Sequence, residues 1–234
     1  MKTEGEGAAG ERERPRHPAI PYVAPFAVFL ALLAGDRFLP LAPELNYALR
    51  FLVVFGLLML FSRRVISWRV SHFAGSTLLG LAVFAIWVGP DVLWPAYRES
   101  WFFNNVLVGA PKSSLPAGAN LSRMFLLFRV LASVINVPIL EELFWRGWMM
   151  RWLIARDFAK VPLGTYAPGS FWLVAVLFAS EHGAFWDVGL IAGIVYNWWI
   201  VRTRSLGDCI LAHAVTNACL AVYVVGCGRW QYWL

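Results

Sequence analysis

In the run Val137-Pro138-Ile139-Leu140-Glu141-Glu142-Leu143-Phe144-Trp145-Arg146-Gly147, two adjacent carboxylates and a guanidinium stand in otherwise apolar and aromatic sequence. Ionisable groups in such a setting are costly. They persist where they pair, line a cavity or do chemistry. On a helix, Glu142 and Arg146 are i and i+4, so they share a face and can form an ion pair. Glu141 points about 100° away and lacks that partner, which makes it a candidate acid or base. Three further polar sets interrupt apolar sequence: Phe178-Ala179-Ser180-Glu181-His182, Tyr196-Asn197, and His213-Ala214-Val215-Thr216-Asn217. In the last, His213 and Asn217 also share a helix face. A free carboxylate, two imidazoles, an amide and a supporting ion pair suit hydrolysis. A Glu and a His can share the deprotonation of a water, and a His and an Asn can donate hydrogen bonds to the oxyanion that develops on a carbonyl. Ser180 and His182 are i, i+2 and face apart. Cys209, four residues before His213, is a minor candidate nucleophile. Glu181 reads as a solvated helix-end residue and Asn197 as a helix-packing group.

The elements that must position these groups follow from composition. Of 234 residues, 59% are hydrophobic and only 15% charged, against about 25% charged in soluble domains, and mean hydropathy is +0.61. The expected fold class is all-α: a polytopic transmembrane helix bundle of about seven spans, near 20–35, 44–61, 72–89, 121–154, 170–183, 187–201 and 206–226. Residues 1–18 read as a disordered cytoplasmic tail. Residues 19–120 read as accessory transmembrane helices and a loop, with a short amphipathic helix around Tyr97–Val108. Residues 121–226 form the catalytic bundle, and residues 227–234 an aromatic interfacial tail. The third span is expected to stop at Gly89-Pro90, and the fourth, long for one crossing, to tilt or to kink at Pro138. The first span reads as a retained anchor rather than a cleaved signal.

The net charge of +6 reads as loop charge at a membrane surface, not as a nucleic-acid-binding face. With the N-terminus in the cytoplasm, inside segments carry Lys2, Arg12, Arg14, Arg16, Arg63, Arg64, Arg69, Arg151, Arg156, Lys160, Arg202 and Arg204. Outside segments carry only Arg37, Arg98, Lys112 and Arg229. That asymmetry predicts a cytoplasmic N-terminus and an external C-terminus. Counting helical rise from Arg151, Ser170 and Ser205 places Glu141, His182 and His213 at roughly 12–18 Å from the cytoplasmic face, one layer in the cytoplasmic half of the membrane. The three cysteines, Cys209, Cys219 and Cys227, read as small buried hydrophobes and suggest no disulfide.

Glu141-Glu142-x-x-x-Arg146, Phe178-x-x-x-His182 and His213-x-x-x-Asn217 together resemble the three signature motifs of the CPBP family, the type II CAAX prenyl endopeptidases and Abi-like relatives, over about residues 121–226. The resemblance implies a membrane-embedded glutamate protease. In it Glu141 and His182 activate water, His213 and Asn217 stabilise the oxyanion, and Glu142 and Arg146 support the site. It implies no cofactor and, as substrate, a peptide or membrane protein met in the lipid bilayer of a bacterial inner membrane. The run Arg202–Asn217, with Tyr223-Val224 and the aromatic C-terminus, is similar to the CAAX protease-related proteins associated with exosortase systems, which implies a substrate that is not farnesylated. Two alternatives stay open. One is a zinc-dependent membrane protease using Glu141, His182 and His213 as ligands, although no HExxH is present and Asn217 is a poor zinc ligand. The other is a non-catalytic membrane scaffold or immunity protein.

Overall fold

The computed structural model describes residues 17–38, 41–111, 113 and 122–233. The tail expected over 1–18 therefore lies almost entirely outside the described residues, as does most of 112–121. Among the described residues the chain is all-α, with no named strand and one isolated bridge between Asn105 and Gly109. Five helices are long and apolar enough to cross a membrane: α2 (Pro43–Ser62), α3 (Phe73–Leu93), α4 (Arg123–Trp152), α6 (Gly183–Thr203) and α7 (Leu206–Cys227). Two shorter apolar helices, α1 (Ile20–Gly35) and α5 (Pro168–Ser180), complete the seven. The chain is a multi-pass membrane protein. At 16 and 13 residues, α1 and α5 are shorter than the ~20 residues of a full crossing.

Helix starts follow local chemistry. Proline occupies the first turn of α1, α2 and α5, where its missing N–H costs nothing. Ser122 and Ser205 cap α4 and α7 by accepting from Phe125 N and Asp208 N. Pro90 does not stop the third span as expected; it sits inside α3, which runs on to Leu93. Proline is tolerated in membrane helices because neighbours re-satisfy the freed carbonyl. The amphipathic helix expected around Tyr97–Val108 is absent. A single 3-10 turn, Tyr97–Glu99, leads into a turn closed by the Asn105–Gly109 bridge. There the Asn105 side chain accepts from Leu107 N and Val108 N. Asn favours such local backbone bonding over helix. Arg98 then ties the loop to Asp91, Asp187 and the Ala184 carbonyl.

Helix α4 departs from α geometry twice. Its backbone is π-wound over Ala132–Asn136 and again over Leu143–Met149, leaving only Val137–Glu142 as α-helix between them. The first π turn lies immediately before Pro138, where a regular α-helix would bring the proline ring against the carbonyl four residues back. Helix α7 packs along α3 through a close approach at Gly80, where an added Cβ would meet Val215 Cβ at 2.8 Å and the Ala212 carbonyl closer still. Small residues let membrane helices approach in this way.

Candidate active site

The α-helical segment between the two π turns carries the paired glutamates, both buried. Glu142 is fully enclosed. Its Oε1 accepts from Arg146 Nη1 at 3.2 Å and lies 3.0 Å from His213 Nδ1 on α7. Arg146 is held in turn by Asn197, whose Oδ1 accepts from Arg146 Nε at 2.9 Å, and by the Gly193 carbonyl at 3.3 Å. Asn197 Nδ2 donates to the Phe171 carbonyl at 2.8 Å, and the guanidinium lies 4.6 Å from the centre of the Phe178 ring. Arg146 thereby joins α4 to α5 and α6. These partners make the buried ion pair tolerable, although Glu142 Oε2 is itself buried without one.

Glu141 faces elsewhere. Its carboxylate lines a cavity of about 310 Å³, and its Oε2 is buried without a hydrogen-bond partner. His182, His213 and Asn217 line the same cavity. The structure thus brings all four predicted groups to one wall system from three separate stretches of chain, while Glu142 and Arg146 lie behind it. His182 is not on a helix. Helix α5 ends at Ser180, and His182 sits in the turn before α6. Its Nδ1 lies 2.8 Å from the Phe178 carbonyl; donation there leaves the Nε2 lone pair as the basic site. Trp87 packs against the ring at 5.1 Å. His213 stacks on Tyr196 at 5.1 Å, and the Tyr196 hydroxyl donates to Thr216, which itself bonds the Gly80 carbonyl. Asn217 Nδ2 donates to the Ser133 carbonyl at 2.8 Å, on the first π turn of α4, and keeps its second N–H.

Several wall residues were not singled out by sequence. Glu181, read above as a solvated helix-end group, lines the cavity and accepts from Trp145 Nε1 at 3.1 Å. Its signal was adjacency to His182. Arg50, Tyr47 and Trp87 reach the cavity from α2 and α3, and Phe26, Phe29, Leu30 and Leu33 from α1. The site's wall therefore draws on residues 19–120 as well as 121–226. The aromatic tail is not interfacial as expected: Tyr232 and Trp233 are buried and line the cavity, with Tyr232 against the Phe185 and Tyr223 rings and Trp233 against Trp230 and the Arg129 guanidinium. Cys209 is fully buried, with Sγ toward the Tyr196 carbonyl, and is not part of the wall. Among the described residues, no group of three or more His, Cys, Asp or Glu is placed to hold a metal ion, so the Glu141, His182 and His213 set is not drawn together as ligands.

Residues 123–219 match the family described as type II CAAX prenyl endopeptidase, Rce1-like. The match begins at α4 and ends two residues after Asn217, and so contains every residue of the three motifs. Comparison with the curated proteins and with the solved structures gives no match.

Proposed function

We propose that this chain, whose residues 123–219 match the type II CAAX prenyl endopeptidase Rce1-like family, hydrolyses a peptide bond within the membrane by a water that Glu141 and His182 activate. The observation that carries the reading is the division between neighbours. Glu142 is tied through Oε1 to Arg146 and His213 and keeps its unpartnered Oε2 behind the wall, while Glu141 presents its own unpartnered oxygen at the cavity. A carboxylate held out of bulk water beside a cavity is a competent proton acceptor.

The steps follow from the groups present. Glu141 takes one proton from the water, with His182 Nε2 accepting its other hydrogen bond. The water oxygen attacks the carbonyl carbon, and the carbonyl oxygen becomes an oxyanion. Asn217 donates its second N–H to that oxyanion. As an imidazolium, with Nδ1–H engaged on the Glu142 carboxylate, His213 donates its Nε2–H as well. The proton held by Glu141 passes to the amide nitrogen as the C–N bond breaks. Positioned donors of this kind act without reorganisation in a water-poor site. Glu142 and Arg146 act through His213 and are positioning residues. The zinc alternative draws less support, since the candidate ligands are not grouped for metal.

In this reading the enzyme sits in a bacterial inner membrane with its N-terminus in the cytoplasm, and its substrate is a peptide or membrane protein cut near the membrane boundary. The test compares peptide termini in membranes from cells carrying the wild-type chain or Glu141→Ala. New termini confined to the wild-type cells support the proposal. Identical termini, together with full function of the Glu141→Ala protein, contradict it and favour a non-catalytic scaffold.

A further inference from the structure

The cavity is one-sided. Its wall draws on α1 from Phe26 onward, the first half of α2, the last third of α3, α4 up to Glu141, the end of α5, α6 up to Tyr196 and α7 from His213 onward. Among the described residues, no wall residue lies within 51–86, 142–177 or 197–212. Contacts sort the helix ends in the same way. At one end His72 N donates to Asp208 Oδ1 at 2.8 Å, Gly164 leaves room for the Ile200 carbonyl 2.3 Å from where a Cβ would stand, and the Tyr22 ring meets that of Phe158 at 5.5 Å. This end gathers the start of α1 with the connections 63–72, 153–167 and 204–205. At the other end Arg98 pairs with Asp91 and Asp187, and the Tyr232 ring meets that of Phe185 at 5.2 Å. The cavity reaches only this second end.

Toward the first end the bundle is filled. Glu142, Leu143, Val174, Asn197, Ile200 and Cys209 expose no surface, and interiors packed this way hold few voids as large as a water. At the second end Leu30, Leu33 and Glu181 are exposed while lining the cavity, and they mark its mouth. Each hydrolysed bond consumes a water and brings a peptide to Glu141, so both pass the mouth. The connections at the closed end carry Arg63, Arg64, Arg69, Arg156, Lys160 and Arg204, against Arg37, Arg98, Lys112 and Arg229 at the open end. A surplus of basic residues is the mark of a cytoplasmic face. We infer that the site is entered from the external face of the membrane, and that its substrate is the externally exposed segment of an exported or membrane-anchored chain. The inference rests on the endopeptidase reading above and adds the side from which the bond is reached. A peptide confined to the cytoplasm meets the closed end.

Thiol labelling tests the inference without turnover. Cys227 is exposed at the open end of α7 and, in a chain carrying Cys219→Ser, reports that face. Arg64→Cys reports the closed end. Leu220→Cys and Ala132→Cys each report the cavity wall. These three variants are made with Cys219→Ser and Cys227→Ser, while the fully buried Cys209 stays. The probe is a small, membrane-impermeant sulfonated methanethiosulfonate, given to intact cells or to inverted membrane vesicles, and labelling is read as the mass shift of one reagent per chain. Cys227 and the two wall cysteines shift in intact cells, and Arg64→Cys shifts only in inverted vesicles. Labelling a wall cysteine from outside abolishes the cleavage made by the same unlabelled variant. Labelling of Arg64→Cys but not of Cys227 in intact cells inverts the chain and overturns external entry. Wall cysteines that shift in neither preparation, or only where Arg64→Cys does, overturn it too, as does undiminished cleavage by the labelled protein. The expected labelling pattern with no cleavage by the wild-type chain overturns the endopeptidase reading and leaves the external mouth standing.

Discussion

Nδ1 of His213 lies 3.0 Å from Oε1 of Glu142, 71 positions away in the chain and on another helix. The same oxygen receives Arg146 Nη1 at 3.2 Å. One enclosed carboxylate thus fixes a ring at the cavity wall and a cation behind it, and its neighbour Glu141 is left for the cavity.

This predicts opposite phenotypes for adjacent residues. Glu142→Ala leaves Arg146 and His213 buried without their anion, and breaking a buried pair from one side costs about 3–5 kcal/mol. Thermal unfolding in detergent should show a large drop. Glu141→Ala removes an oxygen that has no protein partner, and its unfolding temperature should stay near that of wild type. Equal losses for the two would contradict the division of roles.

Asn217 is assigned both a staple to Ser133 O and a donor to the oxyanion. Removing one oxyanion donor typically costs about 10²–10³ in kcat. Asn217→Ala should lower kcat by that order with little change in KM, beyond any loss of folded protein. A fall in activity that only tracks the folded fraction would reduce Asn217 to the staple.

Packing gives a prediction free of chemistry. Gly80→Ala would set a Cβ 2.8 Å from Val215 Cβ and against the Ala212 carbonyl, at a cost of about 1–3 kcal/mol for overpacking. Gly89→Ala meets nothing within 4 Å on the same helix and serves as the control. A stability loss at Gly80 with none at Gly89 is expected by thermal unfolding. The reverse order would contradict the α3–α7 contact.

The glutamate reading also predicts insensitivity to chelation. Purified protein treated with a strong zinc chelator should keep its cleavage rate. Loss of activity that is restored by zinc would move the site to the metal alternative.

The chemistry-bearing residues were legible in the sequence because their geometry is local. The i, i+4 relations of Glu142 with Arg146 and of His213 with Asn217 follow from helical repeat alone, and apolar surroundings mark each polar group as costly. Span positions followed from hydropathy to within a few residues for most helices. What escaped depends on tertiary partners. Pro90 continues inside a helix. Tyr97–Val108 surrenders helix to the side-chain bonds of Asn105 and the ties of Arg98. Tyr232 and Trp233 look interfacial by composition, yet Tyr232 finds Phe185 and Tyr223, Trp233 finds Arg129, and both turn inward. Glu181 is the exposed helix-end residue it looked like; what escaped is its bond to Trp145, 36 positions away. The π turns around Val137–Glu142 have one visible cause, Pro138, for the first and no sequence signal for the second.

One substitution tests Glu141 as the activator of the water. Glu141→Gln keeps the shape of the side chain and removes the proton acceptor. With a substrate taken from the membrane-terminus comparison and purified protein of wild-type thermal stability, cleavage should fall by about 10²–10⁴. Cleavage by Glu141→Gln at the wild-type rate would contradict the account.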